Sequence, residues 1–509
     1  MSLRSAALLI LAGVLHAASM GNPWNGEPAG WLQLIALCLF ARQLLVPQRP
    51  RRAALAGWLF ATAWLAGTFW WLFVAMHTYA GLAGPVAALA VIALAAALAV
   101  YFALASAIFV AYAPANRWLG AVLFAALWMV AEMARGVWFT GFGWGASAYA
   151  HVGGLARSAQ YVGAYGVGGL LGFVAFLYAV WLQAPLGRRR WVFAATASVT
   201  AAAMAWLPGD VTRPTSTLDV ALLQGNIAQD EKFQPGTGVA DALKWYGEQL
   251  GIAQASLVVA PETAIPLLPQ QLPQDYWLSL RQRYEKGTQA ALVGVPLGTP
   301  GDGYTNSVLG FKPEGVADAY RYDKHHLVPF GEFIPPLFRW FTEMMAIPLG
   351  DFARGAVGQP SFAWRGERLA PNICYEDLFG EELAARFVDQ RTAPTIFVNL
   401  SNIGWFGNTV AIDQHLNISR MRSLEFGRPF IRATNTGDTV IIDHTGRVTH
   451  ALPRHTRGVL LGSVQGREGL TQYASWAARY GLGPLWLLAG LVVAIAVLSR
   501  NRRGRLHVP

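Results

Sequence analysis

Pro371-Asn372-Ile373-Cys374-Tyr375-Glu376-Asp377 follows a short apolar run and precedes a helix-like stretch. Cys374 is the only cysteine between Thr212 and Gln465. A thiol placed at a strand end, next to carboxylates, is a candidate nucleophile. The competing reading is a small buried hydrophobe, a common fate of cysteine. The second cysteine, Cys38, lies in an apolar segment and reads as packing. Two cysteines in such unlike settings define neither a disulfide framework nor a metal-ligand cluster.

Outward from Cys374, β-rich runs alternate with helical patterns. Strands are expected at Leu218–Gln224, Leu257–Ala260, Ala290–Val295, Asn306–Phe311, Leu369–Cys374, Thr395–Asn399, Pro429–Ala433, Thr439–Asp443 and Val459–Val464. Helical periodicity covers about 239–251, 274–286, 379–391 and 410–426. This alternation points to α/β layering with helices covering a sheet. No glycine-rich phosphate loop follows a strand, so nucleotide binding is not indicated.

Two further polar spots stand in this block. Glu262 ends a strand in Val258-Val259-Ala260-Pro261-Glu262-Thr263, and Lys324 lies in Tyr322-Asp323-Lys324-His325-His326-Leu327-Val328-Pro329-Phe330-Gly331-Glu332. A carboxylate, an ammonium and a thiol make a workable acyl-transfer set. The carboxylate takes the thiol proton, the sulfur attacks a carbonyl, and the ammonium stabilises the oxyanion. Taken singly, Glu262 also reads as a helix N-terminal acid, Lys324 as a surface charge, and His325 and His326 as turn residues.

The flanks of this block differ in kind. Of 509 residues, 54% are hydrophobic and 13% charged, against about 25% charged in ordinary soluble domains. Eight apolar stretches are long enough to be candidate spans: about 5–20, 29–46, 54–76, 83–112, 118–134, 165–183, 191–207 and 480–498. The net charge of +10 is concentrated in short loops beside them, which argues against nucleic acid as the partner. Arg49, Arg51 and Arg52, then Arg117, then Arg188 to Arg190, then Arg500, Arg502, Arg503 and Arg505 fall on one side if all eight spans cross and the N-terminus is cytoplasmic. The block between the seventh and eighth spans then faces outward, into the periplasm of a two-membrane bacterium. The expected organisation is a transmembrane domain at 1–208, a catalytic domain at 209–468, and a final span with a basic tail at 469–509. The outer loop Arg135–Gly153 is rich in aromatics and glycines. It is either an interfacial belt or the lining of a lipid access site that includes Trp138 and Phe139, and Glu132 beside it either snorkels or joins that site.

The central block, over about 215–465, resembles the nitrilase (carbon–nitrogen hydrolase) superfamily. Pro-Glu after a strand, Lys before His-Leu and Gly-Glu, and Cys-Tyr-Glu after an apolar run occur in that order. The resemblance implies an α-β-β-α sandwich, so the expected fold class is an eight-span membrane helical bundle plus a nitrilase-like α/β sandwich. The whole chain resembles the apolipoprotein N-acyltransferase family. The shared segments are Phe139-Thr140-Gly141-Phe142, Gln224-Gly225-Asn226-Ile227, His326-Leu327-Val328-Pro329-Phe330-Gly331-Glu332, Asn399-Leu400-Ser401-Asn402 with Trp405-Phe406-Gly407, and Gly469-Leu470-Thr471.

That resemblance implies Glu262 as general base, Lys324 as oxyanion stabiliser and Cys374 as nucleophile. Glu332 becomes a second essential carboxylate, with Tyr375 and Glu376 as supporting neighbours and the Tyr375 N–H as a further oxyanion donor. Phe233 stands where many relatives carry tryptophan. Phe233, Asn402 and Trp405 are expected at the substrate, and Trp340, Phe341, Met344 and Met345 in a lid over lipid or in core packing. The implied partners are a phospholipid acyl donor (phosphatidylethanolamine by analogy), a diacylglyceryl apolipoprotein acceptor, and membrane lipid. No metal or organic cofactor is expected. A membrane-anchored amidase acting on a small substrate, or a transporter with an outer binding domain, are the competing readings.

Overall fold

The computed structural model describes residues 1–207, 211–299, 301, 303–313, 319–334 and 352–505. It divides into two compact units, residues 1–209 with 413–417 and 480–509, and residues 210–412 with 418–479.

The first unit is helical, and each of the eight apolar stretches falls on helix. Among the described residues, Gly84–Tyr112, Arg117–Thr140, Leu155–Gln183 and Gly483–Arg500 are long and apolar enough to cross a membrane. A fifth is added if Pro50–Thr68 and Leu72–Tyr79, bent by 61°, count as one span. Leu3–Ser19 and Gly30–Leu44 are apolar but have 17 and 15 residues, short of the roughly 20 that a span needs. Arg188–Trp206 opens on three arginines. The expected eight therefore become four or five by length and composition.

The Arg135–Gly153 segment is not a loose interfacial loop. Arg135 lies inside the helix Arg117–Val137 and is buried. Its guanidinium donates to the carbonyls of Phe142 (2.5 Å), Trp144 (2.8 Å) and Gly143 (3.4 Å), folding the segment back onto the helix end. Glu132 does not snorkel. It is buried and accepts from the Ser147 N–H (2.8 Å) and hydroxyl (2.7 Å).

Among the described residues, the second unit holds two six-stranded sheets. The first is built from β1 (Arg213–Gln224), β2 (Leu257–Ala260), β3 (Ala290–Thr299), β4 (Gly303–Phe311), β5 (Tyr320–Asp323) and β12 (Gly458–Glu468), in the order β12-β1-β2-β3-β4-β5. The second runs β11-β10-β9-β8-β7-β6, from β6 (Phe362–Trp364), β7 (Glu367–Ile373), β8 (Ile396–Ser401), β9 (Phe430–Thr434), β10 (Val440–Ile442) and β11 (Val448–Ala451). Successive side chains point to opposite faces of a strand. Leu218, Val220, Leu222, Leu257 and Val259 therefore meet Leu369, Ile373, Ile396, Val398 and Ile431 in one core between the sheets. Ala221, Leu223, Val258, Ala260 and Val293 point the other way, onto the helices Gly238–Ile252 and Gln274–Glu285 through Tyr246, Leu250 and Tyr284. Beyond the second sheet, Phe397 packs on Phe426 of the helix Ala411–Phe426. The layering is α-β-β-α, and burial on both faces explains why the central strands read as unbroken apolar runs.

The core of each sheet is parallel, with β1-β2-β3 in one and β7-β8-β9 in the other. β4 reverses direction and β5 reverses again, so β5 points the same way as β3. Ligands of such sheets gather at the carboxyl ends of the strands. Glu262 follows β2, Lys324 follows β5, Cys374 follows β7, and Asn402 follows β8.

Candidate active site

Cys374 is not the last residue of its strand, as the sequence suggested. β7 stops at Ile373, and Cys374 opens a 3₁₀ turn, Cys374–Leu378, with φ of +52°. A non-glycine residue in the left-handed region is strained unless its surroundings hold it there. Glu376 does much of the holding. One of its oxygens accepts from the Ile373 N–H (2.6 Å) and the Tyr322 hydroxyl (2.8 Å), the other from the N–H groups of His325 (2.7 Å) and His326 (3.2 Å). One buried carboxylate thus ties the cysteine turn to the segment that carries Lys324. Asn399 adds a bond from Nδ2 to the Cys374 carbonyl (3.0 Å). Tyr375 is buried, edge-on to His326 and Phe379.

Lys324 is buried, and its Nζ donates to Glu332 Oε1 (2.8 Å) and Glu262 Oε1 (3.3 Å). Asn306 Nδ2 bridges the same two oxygens, at 2.9 and 2.7 Å. The second oxygen of Glu332 accepts from the Val328 N–H (2.8 Å), and that of Glu262 from the Asn402 N–H (2.8 Å). A carboxylate offers about four lone-pair sites. Glu262 has three donors, which leaves room for a thiol proton. The turn that carries Glu262 is packed closely: a Cβ on Gly294 would lie 2.2 Å from the Pro261 carbonyl oxygen and 2.8 Å from Glu262 Cα.

The electrostatics follow from burial. Burial favours neutral Lys324, but the charges of Glu332 and then Glu262 outweigh it and hold the group above the usual lysine range, as an ammonium. Burial pushes the Cys374 thiol up to about 12, the Glu262 charge adds to this, and Lys324 opposes it. Cys374 therefore rests as a thiol at neutral pH, and it would need a base to act as a nucleophile.

The structure brings Glu262, Lys324, Glu332 and Cys374 into one cluster supported by Glu376, with Glu262 and Lys324 buried and Glu332 and Cys374 partly exposed. Asn402 touches Glu262 through its N–H, while its side chain bonds Gln229 (2.9 Å). Phe233 is 52% exposed and Trp405 is 37% exposed. Trp138 and Phe139 belong to the helical unit and are also exposed, Trp138 stacking on Trp486 there. Trp340, Phe341, Met344 and Met345 lie outside the described residues. His325 and His326 are held by the Gly355 carbonyl (2.7 Å) and Glu382 (2.9 Å), and no group of three or more potential metal ligands occurs among the described residues.

Sequence reading missed four residues here. Asn306 clamps both carboxylates, and Asn435 ties the Ile227 N–H and carbonyl (3.1 and 2.9 Å) to Asn402 (3.2 Å). Gln229 supports Asn402, and Lys232 donates to the Glu262 carbonyl (3.0 Å). The available signal was an amide at the head of an apolar strand for Asn306. The other three lie in turns and carry none.

The family model described as "Apolipoprotein N-acyltransferase N-terminal domain" matches residues 12–177, and that described as "Carbon-nitrogen hydrolase" matches residues 219–473. The apolipoprotein N-acyltransferase of Verminephrobacter eiseniae is 57% identical over 498 residues, spanning 93% of this chain and 92% of its own. That of Ralstonia nicotianae is 42% identical over 509 residues, spanning 98% and 94%. Among solved structures, a carbon-nitrogen hydrolase from Helicobacter pylori G27 is 15% identical and covers 53% of this chain and 94% of its own, with a TM-score of 0.35.

Proposed function

Because the chain belongs to the apolipoprotein N-acyltransferase family, we propose that its acyl transfer in lipoprotein maturation runs through a thioester on Cys374. The observation that carries this reading is the buried Lys324 ammonium, shared by Glu262 and Glu332 beside a strained cysteine turn. In the first half-reaction Glu262 takes the thiol proton as Sγ attacks an ester carbonyl of a phospholipid, phosphatidylethanolamine by analogy. A C–S bond forms and the oxyanion develops near Lys324, with the Tyr375 N–H as a second donor. Collapse breaks the C–O bond, and Glu262 returns the proton to the departing glycerol oxygen, giving a lysophospholipid. In the second half-reaction the α-amine of a diacylglyceryl-cysteine attacks the thioester. Its proton passes to Glu262, the C–N bond forms, the C–S bond breaks, and the proton returns to sulfur.

Both substrates are anchored in lipid, which fits a helical unit that spans the membrane. In this reading all eight apolar helices cross, the N-terminus is cytoplasmic, and the catalytic domain at 209–468 faces the periplasm from the inner membrane. The one-sided arginine clusters support that orientation. In the catalytic unit Phe233, Asn402 and Trp405 are the residues proposed at the substrate, and in the helical unit the exposed Trp138 and Phe139 are proposed to meet lipid. Family membership over nearly the whole chain leaves the small-amide hydrolase and transporter readings without support.

Purified protein incubated with phosphatidylethanolamine and a diacylglyceryl-cysteine peptide tests the reading. Amide and lysophospholipid should appear in equal amounts. Free fatty acid with no amide product would refute it.

A further inference from the structure

Lys232 is a second buried lysine at this site. It lies in the turn after β1 and is 1% exposed, whereas its neighbours Asp230, Glu231 and Phe233 are at the surface. Its Nζ donates to the main-chain carbonyl of Glu262 (3.0 Å), and the Phe233 ring lies 5.8 Å from it. Among the described residues that is the one hydrogen bond its Nζ makes, although an ammonium carries three donors. Burying a lysine is costly unless its charge is used.

The charge count shows a use. In the resting cluster two ammonium groups, Lys324 and Lys232, face Glu262 and Glu332, with the Glu376 carboxylate also in the field of Lys324 and Arg432, paired with Asp377, in that of Cys374. When Cys374 loses its proton, or when an oxyanion forms, a further negative charge must be balanced. Lys324 is already committed to both carboxylates. Lys232 is bonded only to an uncharged carbonyl, so its charge is available.

We propose that Lys232 is a positioning residue of the acyl-transfer site. Its ammonium, anchored on the Glu262 main chain, balances the negative charge that develops at Cys374. The proposal rests on reading Cys374 as the nucleophile. The charges that Lys232 feels come from Glu262 after β2 and Cys374 after β7. Asp230 and Glu231 on its own turn are exposed to solvent. Burial pulls Lys232 down to about 8, against the pull of Glu262 and Cys374 in the other direction. Its charge is therefore present below about pH 8 and lost as the pH rises through it.

The test uses full-length protein in detergent and two readouts, each measured over about pH 6 to 10, a range that brackets this titration. One is alkylation of Cys374 by iodoacetamide, resolved from Cys38 by peptide mass. The other is thioester formation with phosphatidylethanolamine. In the wild type both profiles should break near pH 8. Lys232→Met should slow alkylation at neutral pH about tenfold, one unit of thiol pKa. It should slow thioester formation at least as much, abolish the break, and leave Tm unchanged or raised. Lys232→Arg should restore both rates at neutral pH without the break, because a guanidinium keeps its charge.

Unchanged profiles in Lys232→Met would overturn the proposal. So would a lowered Tm with the break at pH 8 retained, the mark of a purely structural peg. If Lys232→Met does not fold, the wild-type break and its loss in Lys232→Arg decide the matter. A wild type whose alkylation follows Lys232 but which forms no thioester would leave the coupling standing and sink the acyl-transfer reading instead.

Discussion

Burial and the Glu262 charge keep the Cys374 sulfur protonated at neutral pH, so the proton must leave as the sulfur attacks. Two consequences separate the roles of Glu262. On the proposed mechanism Glu262→Gln removes the base, and acyl transfer should fall roughly 100- to 10,000-fold. The same change removes a charge that raises the thiol, so alkylation of Cys374 should begin at lower pH than in the wild type. The sign is fixed: loss of a neighbouring anion favours the thiolate. An iodoacetamide pH profile beside a transfer assay checks both, and a variant that loses transfer while its alkylation profile stays put would contradict the electrostatics. Removing Lys324 is expected to act differently. Lys324→Met leaves Glu262 and Glu332 sharing Asn306 without the cation that bridges them, a loss of about 3–5 kcal/mol for breaking a buried pair, read as a lower Tm as well as lost activity. Glu262 and Cys374 were legible because each is a charged or reactive group at the end of an apolar strand, where burial demands a partner, whereas Lys324, after the polar strand Tyr320–Asp323, was singled out by its turn-rich motif and the family resemblance. Asn306 and Lys232 were not, because an amide heading a strand and a lysine in a turn look like surface residues until the fold buries them.

The site depends on a few turns held in place by single residues. Glu376 accepts four hydrogen bonds that join the Cys374 turn to Tyr322, His325 and His326. Glu376→Gln turns one acceptor oxygen into a donor facing other donors, at about 1–3 kcal/mol. Thermal unfolding should show a lower Tm, with weaker transfer because the nucleophile shifts. Gly294→Ala forces a Cβ against the Pro261 carbonyl and displaces the Glu262 turn. A shift near 1 Å costs roughly a hundredfold in rate, so transfer should drop while membrane insertion and expression persist. Most strands of the catalytic unit were readable because they are long and apolar. β5, β6 and β11 were not: they are short edge strands of the two sheets, ordered by pairing with β4, β7 and β10. β5 matters most, because it delivers Lys324. The helical pattern at 379–391 also breaks, into Gly380–Ala384 and a 3₁₀ turn at Ala385–Phe387.

At the scale of the whole chain, composition separated the helical unit from the sandwich, and arginine placement carries the orientation. A cysteine introduced at Gln254 in a Cys38→Ala, Cys374→Ala background should react with a membrane-impermeant maleimide in cells whose outer membrane is permeable, while one introduced at Arg117 should react only after the inner membrane is opened. Labelling in the reverse pattern would invert the proposed topology. Length and composition support four or five of the eight expected spans, because apolar length alone does not distinguish the 17- and 15-residue helices or the 61° bend from full crossings. The central claim is chemical and is tested most directly by intact-mass spectrometry of protein purified from membranes, wild type beside Cys374→Ser. A fatty-acyl adduct on the wild type, released by neutral hydroxylamine and absent from Cys374→Ser, is the predicted result. An adduct that persists in Cys374→Ser, or none on the wild type after incubation with phospholipid, would contradict a thioester on Cys374.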